Sequence, residues 1–135
     1  MGYRDRRRAG VRVTDTTIPL LRRGQIVLVA FDPAVGSEAR KTRPAVVVSN
    51  NTANAAALRS SGATVTVVPV TSHATKVYPF QVKLPAETTG LHHDSKAQAE
   101  QVRTVAVARI VKPVGWVPAE LMGAIDEALR LHLAL

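Results

Sequence analysis

Strand-length apolar runs, each closed off by loop-forming residues, decide what this chain can fold into. "QIVLVAF" (25–31) is continuous, of strand length, and ended by Asp32-Pro33. "PAVGSEARKT" (33–42) carries Pro, Gly and Ser and reads as a loop. "RPAVVVSN" (43–50) is the second strand, rich in β-branched residues. "ATVTVVPV" (63–70) alternates Thr with Val and is the third. "PFQVKL" (79–84) alternates again, and "AEQVRTVAVARI" (99–110) holds a further strand. Between these lie "NTANAAALRSSG", a short helix or ordered loop, the polar loop "TSHATKVY", and "ETTGLHHDSK", a turn and short ribbon. Connections this short predict mostly antiparallel pairing.

The end of the chain changes period. In "VPAELMGAIDEALRLHLAL", Leu121, Ile125, Leu129 and Leu133 recur every four residues with Met122 beside them, while Glu120, Asp126, Glu127 and Arg130 lie off that stripe. This is an amphipathic helix. Pro118 suits its first turn, and Gly123 inside it costs up to about 1 kcal/mol relative to Ala. The prediction is one domain, mainly β with helices (α+β): a small, partly open β-barrel of SH3-like size with a C-terminal α-helix, rather than a βαβ fold. Residues 1–22 show no sustained periodicity and many charges, so they read as a basic, flexible extension ahead of an ordered domain at 23–135.

Charge says less than its size suggests. The 135 residues carry a net +8, but residues 1–24 hold seven Arg against two Asp, which is +5 of it. A basic balance favours a polyanionic partner, yet most of this one sits in the extension. There is no cysteine, which excludes disulfides and thiolate metal sites and fits a reducing cytoplasm. The N-terminal arginines are followed by no apolar segment of the signal-peptide kind. No apolar run approaches the roughly 20 residues of a membrane helix.

No phosphate-binding glycine loop, nucleophile elbow, zinc-protease or calcium-loop pattern occurs. His92-His93-Asp94 suggests a metal cluster on paper, but adjacent strand side chains face opposite ways and no spaced third ligand follows; a solvated turn is the better reading. His132 reads as a helix-surface residue, leaving His73, after Thr71-Ser72, as the one candidate histidine. Three further groups could do chemistry: Ser37, Glu38 and Arg43 around the first loop, Thr71-Ser72 at a strand end, and Glu100-Gln101-Arg103. By residue type alone each reads first as structural, since charges on loops are usually solvated and a Thr after a strand is usually a turn residue.

Together the motifs become more specific. "RRGQIVLVAFDPAVGSEARKTRPAVVVSNN" resembles the N-terminal signature of MazF/PemK-like toxins, in which a GSE-type loop leads to a strand beginning Arg-Pro. "VVPVTS", "YPFQVKL", "GLHHDSKAQAEQVRTVAVARI" and the closing helix follow in that family's order and spacing, from about Arg23 to Leu135, with greater similarity to its mycobacterial-type branch. The resemblance implies a CcdB-like barrel, a symmetric homodimer, and a metal-independent endoribonuclease that cuts single-stranded RNA (mRNA, tRNA or rRNA) and is silenced by a cognate antitoxin. It places the catalytic arginine on Arg43 and the catalytic threonine on Thr71. Substrate-contacting loop residues fall on Ser37 and Glu38, and an RNA-contacting acid–glutamine pair on Glu100-Gln101. Relatives of the same fold poison DNA gyrase without cutting RNA, so a gyrase-binding toxin, or an inactive relative that only binds antitoxin, is the competing expectation. The chain departs from the pattern at Val27, where an aromatic is frequent, in Arg40-Lys41-Thr42, where relatives vary, and in its basic extension.

RNA brings its own nucleophile, the 2′-OH. Its attack needs a base, charge stabilisation at phosphorus and a proton for the departing 5′ oxygen, and yields a 2′,3′-cyclic phosphate and a 5′-OH. No metal or cofactor is called for. Arg43 suits the phosphate, because a guanidinium is a planar, permanently charged fork, and it is a candidate acid only against a pKa above about 12. Thr71 is a poor base without activation and is better as a positioning or proton-relay group. Glu38 is the base or a base-reading contact. Arg40 and Lys41 are candidates for RNA attraction, Ser72 and Gln101 for reading base edges, and Tyr78 for stacking, with packing against Phe80 as its alternative.

Overall fold

The apolar runs are continuous because the sheet they build is covered on both faces. The computed structural model describes residues 21–31 and 41–135. In chain order these form β1 (Gln25–Ala30), β2 (Thr42–Val47), α1 (Asn51–Leu58), β3 (Thr64–Thr71), β4 (Gln81–Leu84), α2 (Ala86–Thr89), β5 (Ser95–Gln98), β6 (Arg103–Ala106), β7 (Ile110–Trp116) and α3 (Ala119–Leu133). Short 3-10 turns at Ala99–Gln101 and Val107–Arg109 flank β6. The extension expected over residues 1–22 lies outside the described residues, apart from Leu21 and Arg22.

Every strand pairing is antiparallel, in the order β4-β5-β3-β2-β1-β7. β3 serves two neighbours on one side: Thr64–Val67 pair with β6, then Val70 and Thr71 pair with β5. Successive residues of a strand point to opposite faces. Ile26, Val46, Val68 and Val70 therefore pack with Ile125 and Ala128 of α3. Val27, Val29, Ala45, Val47, Val65 and Val67 pack on the other side with Leu21, Phe31 and Ala57 of α1. Burying each such Val or Ile side chain contributes about 1.5–3 kcal/mol relative to exposure.

The sheet is not closed into a barrel, which corrects that part of the sequence expectation. Among the described residues β4 and β7 end the path without pairing to each other. Both ends are blunted rather than joined: β4 is four residues long, and β7 carries Pro113, a residue suited to edge strands. β7 itself was hidden in the sequence by Pro113 and Gly115, which interrupt its apolar pattern.

The Ala-rich stretch resolves as a helix because its start is capped: the Asn50 side-chain oxygen accepts the Ala53 N–H at 2.8 Å. Behind it, buried Asn54 is satisfied by Ser49, donating to the Ser49 carbonyl at 2.9 Å and accepting its hydroxyl at 2.5 Å. α3 is anchored at the other end of the chain. Arg23 forms an ion pair with Asp126, and its Nε donates to the Val48 carbonyl at 2.8 Å. Pro118 stands at the N-cap of α3 instead of inside its first turn. Among the described residues no helix is long and apolar enough to cross a membrane.

Candidate active site

The register that sets Ala45 against Pro69 brings the start of β2 and the end of β3 to the same end of the sheet. There Arg43 and Thr71 line one cavity of about 580 Å³. Strand pairing fixes both backbones while leaving Arg43 exposed and Thr71 half-buried. The Thr71 hydroxyl oxygen accepts the His73 N–H at 3.2 Å. An oxygen that already accepts a hydrogen bond is a weaker base and a better donor, so this contact suits Thr71 to positioning rather than to taking a proton. Ser72 and His73 follow on the same wall.

The cavity is bounded across its face by the segment joining α2 to β5. This segment is pinned at both ends. At one end Gly90, at φ +86, closes α2 in the left-handed region and lies close enough to β7 that an added Cβ would sit 3.0 Å from the Val114 carbonyl oxygen. At the other, Ser95 begins β5, and its hydroxyl donates to the His93 carbonyl at 2.8 Å. Asp94 accepts the Ala86 N–H at 2.9 Å. The arch so formed brings His92 and His93 to the cavity, which Lys112 of β7 also lines.

Other candidates fall elsewhere. Ser37, Glu38 and Arg40 lie outside the described residues, and Lys41 is exposed just before β2. Tyr78, Glu100 and Gln101 are not among the cavity's lining residues. Tyr78 stacks on Phe80 with ring centroids 5.4 Å apart and planes 1° apart, as its packing alternative required, and stays 41% exposed. Lys76 and Lys96 place their ammonium groups 4.9 and 5.7 Å from its ring centroid. Gln81 joins this loop to Glu100: its side chain accepts the Tyr78 N–H at 3.1 Å and donates to Glu100 Oε2 at 2.8 Å. Glu100 Oε1 is buried without a hydrogen-bond partner among the described residues, while Gln101 is exposed. The two clusters are neighbours, since Lys96 is the cross-strand partner of Thr71.

The sequence reading passed over His92, His93 and Lys112 as site residues. Nothing in their spacing signals a site; they arrive through the arch and through β7. Among the described residues no group of three or more His, Cys, Asp or Glu side chains is arranged to hold a metal ion.

Comparison with known proteins gives this geometry a family. Residues 22–133 match the family described as PemK-like, MazF-like toxin of type II toxin-antitoxin system. The chain is 58% identical over 116 residues to endoribonuclease MazF9 of Mycobacterium tuberculosis, covering 86% of this chain and 98% of that protein. It is 31% identical over 117 residues to endoribonuclease EndoA of Bacillus subtilis, covering 86% and 97%. Among solved structures, MazE-MazF from Deinococcus radiodurans superposes with a TM-score of 0.69 at 27% identity, covering 86% of this chain and 97% of that one.

Proposed function

The chain belongs to the PemK-like, MazF-like toxins of type II toxin-antitoxin systems, and from that membership we propose that it is a sequence-specific endoribonuclease acting on single-stranded RNA. The observation that carries the reading is that Arg43 and Thr71, from different strands, line one open cavity. Both relatives are named endoribonucleases, which supports the activity. In this reading the substrate's 2′-OH attacks phosphorus without a metal. Arg43 holds the charge that develops on the phosphoryl oxygens, commonly the largest catalytic contribution. Thr71 orients the phosphate or the 2′-OH by donating its hydroxyl proton. Glu38 acts from the loop as base or base-reading contact. Ser37, Arg40, Lys41, Ser72, Tyr78, Glu100 and Gln101 bind the strand around the scissile bond. The protein works in the cytoplasm as a homodimer restrained by a cognate antitoxin, a partner supported by the family description and by the MazE-MazF structure.

The test is cleavage of single-stranded RNA by the purified protein and by Arg43→Ala and Thr71→Ala. Each substitution is expected to lower the rate by about 10²-fold or more, the usual loss when a donor at the developing charge is removed. Wild-type rates in both folded variants would overturn the assignment. Gyrase inhibition without cleavage would establish the competing toxin instead.

A further inference from the structure

The chain leaves β3 at Thr71 and enters β4 at Gln81. The loop between them, residues 72–80, buries little apolar surface: Ser72, His73, Lys76, Val77 and Tyr78 are all exposed. The core does not hold such a segment in place, so its position rests on hydrogen bonds. These are spaced along it. Near its start the His73 N–H donates to the Thr71 hydroxyl oxygen at 3.2 Å. In its middle the Lys76 carbonyl accepts the Lys96 ammonium at 2.7 Å. Towards its end the Tyr78 N–H donates to the Gln81 side chain at 3.1 Å, and the Tyr78 carbonyl accepts the Gln81 N–H at 2.8 Å.

Two of these bonds come from side chains that a strand seldom buries. Gln81 and Lys96 are each 8% exposed. On β4 and β5 they alternate with Val82 and Ala97, which pack in the core under α3, and so stand on the opposite face. Burying an amide or an ammonium costs more than burying an apolar group, but a satisfied buried polar side chain specifies one geometry. The Gln81 amide fits one way round. Its nitrogen donates to Glu100 Oε2 at 2.8 Å, which leaves its oxygen for the Tyr78 N–H. Turned over, it would set N–H against N–H and oxygen against carboxylate. One side chain thus orients both the loop and the Glu100 carboxylate, whose Oε1 stays without a partner among the described residues. Lys96 is the cross-strand partner of Thr71 and ties the middle of the loop back beside it.

We propose that Gln81 and Lys96 are positioning residues for sequence choice: they hold the loop and the Glu100 carboxylate in one fixed relation to Thr71, so that an RNA is cut fast only when its bases suit both at once. The inference rests on the ribonuclease reading and adds to it what sets the preference. Neither side chain lines the cavity that holds Arg43 and Thr71; each acts through the group it holds. Single-stranded RNA is read through its base edges, and Glu100 Oε1 is the acceptor left for a base N–H. Misplacing these contacts harms the sequence that uses them most.

The experiment sets a pool of random-sequence single-stranded RNAs competing in one reaction with the full chain, with Gln81→Met or with Lys96→Met. Relative kcat/KM values are read by sequencing the fragment ends, and the urea midpoint of each protein is measured alongside. In each variant the preferred sequence is expected to lose up to about 10²-fold in kcat/KM, the loss that a small misplacement produces. Poorly cut sequences are expected to lose less, so the ratio between the two narrows. A residue that only stabilises the loop would lower the midpoint and slow every sequence by one factor. That uniform loss, or the wild-type ratio kept in either variant, would overturn the assignment of the residue concerned. Where Gln81→Met does not fold, Gln81→Glu keeps the size and the acceptor for the Tyr78 N–H while setting a carboxylate against Glu100 Oε2, and the same narrowing is expected of it. A wild type that cuts every sequence alike would overturn the proposal outright. If the wild type cuts selectively and the variants keep its ratios, this inference alone falls. If the wild type cuts no RNA, the ribonuclease reading falls with it.

Discussion

At Gly115 a single carbon decides the fit. A Cβ built there would lie 1.8 Å from the Thr89 carbonyl oxygen and 2.9 Å from its carbon, both backbone atoms of the short helix that starts the arch. Neither can turn aside as a flexible side chain would. Gly115→Ala is therefore expected to cost about 1–3 kcal/mol or more, as overpacking generally does, read as a lower midpoint in urea unfolding. Because that contact pins the arch to β7, the variant should also cut RNA more slowly than its remaining folded fraction allows. Wild-type stability would show that the arch is not pressed on β7. Other residues differ in how far the sequence exposed them. Arg43 and Thr71 could be singled out only by resemblance to a family, since an arginine before a proline and a threonine after a strand are individually ordinary. In sequence the histidines of the arch suggest only a metal cluster and read better as a solvated turn, because what brings them to the cavity is a contact between Gly90 and β7, and no local pattern encodes it.

At the scale of elements, α3 separates periodicity from burial. Ile125 and Leu133 occupy the same predicted stripe, but Ile125 is 1% exposed against the sheet and Leu133 is 48% exposed near the helix end. Ile125→Ala is expected to cost about 2–5 kcal/mol through lost transfer energy and the cavity left behind. Leu133→Ala is expected to cost no more than about 0.5 kcal/mol in the same denaturation series. Equal costs would mean the helix packs along its whole stripe. The first three strands were legible because each is a run of β-branched residues serving both faces of the sheet. β7 was not, because Pro113 and Gly115 break its pattern. The barrel was the over-reading: a small, partly open one was expected, but among the described residues a short β4 and a proline-bearing β7 end an open sheet.

For the whole molecule, the sheet's two covered faces leave chemistry to its ends, and one end gathers β1, β2, β3, β7 and the arch around Arg43, Thr71 and the histidines. The chain's net +8 favours a polyanionic partner, though most of that charge lies in residues 1–24 and charge alone would suit many partners. The central claim is that this end of the molecule cuts RNA through the substrate's own 2′-OH. The most direct test is to incubate the full chain with a defined single-stranded RNA in the presence of EDTA and identify the chemical ends of the fragments. The account predicts 5′-hydroxyl ends and 2′,3′-cyclic phosphates at a small set of sequence-defined positions. Fragments with 5′-phosphate and 3′-hydroxyl ends, or RNA left intact, would contradict it.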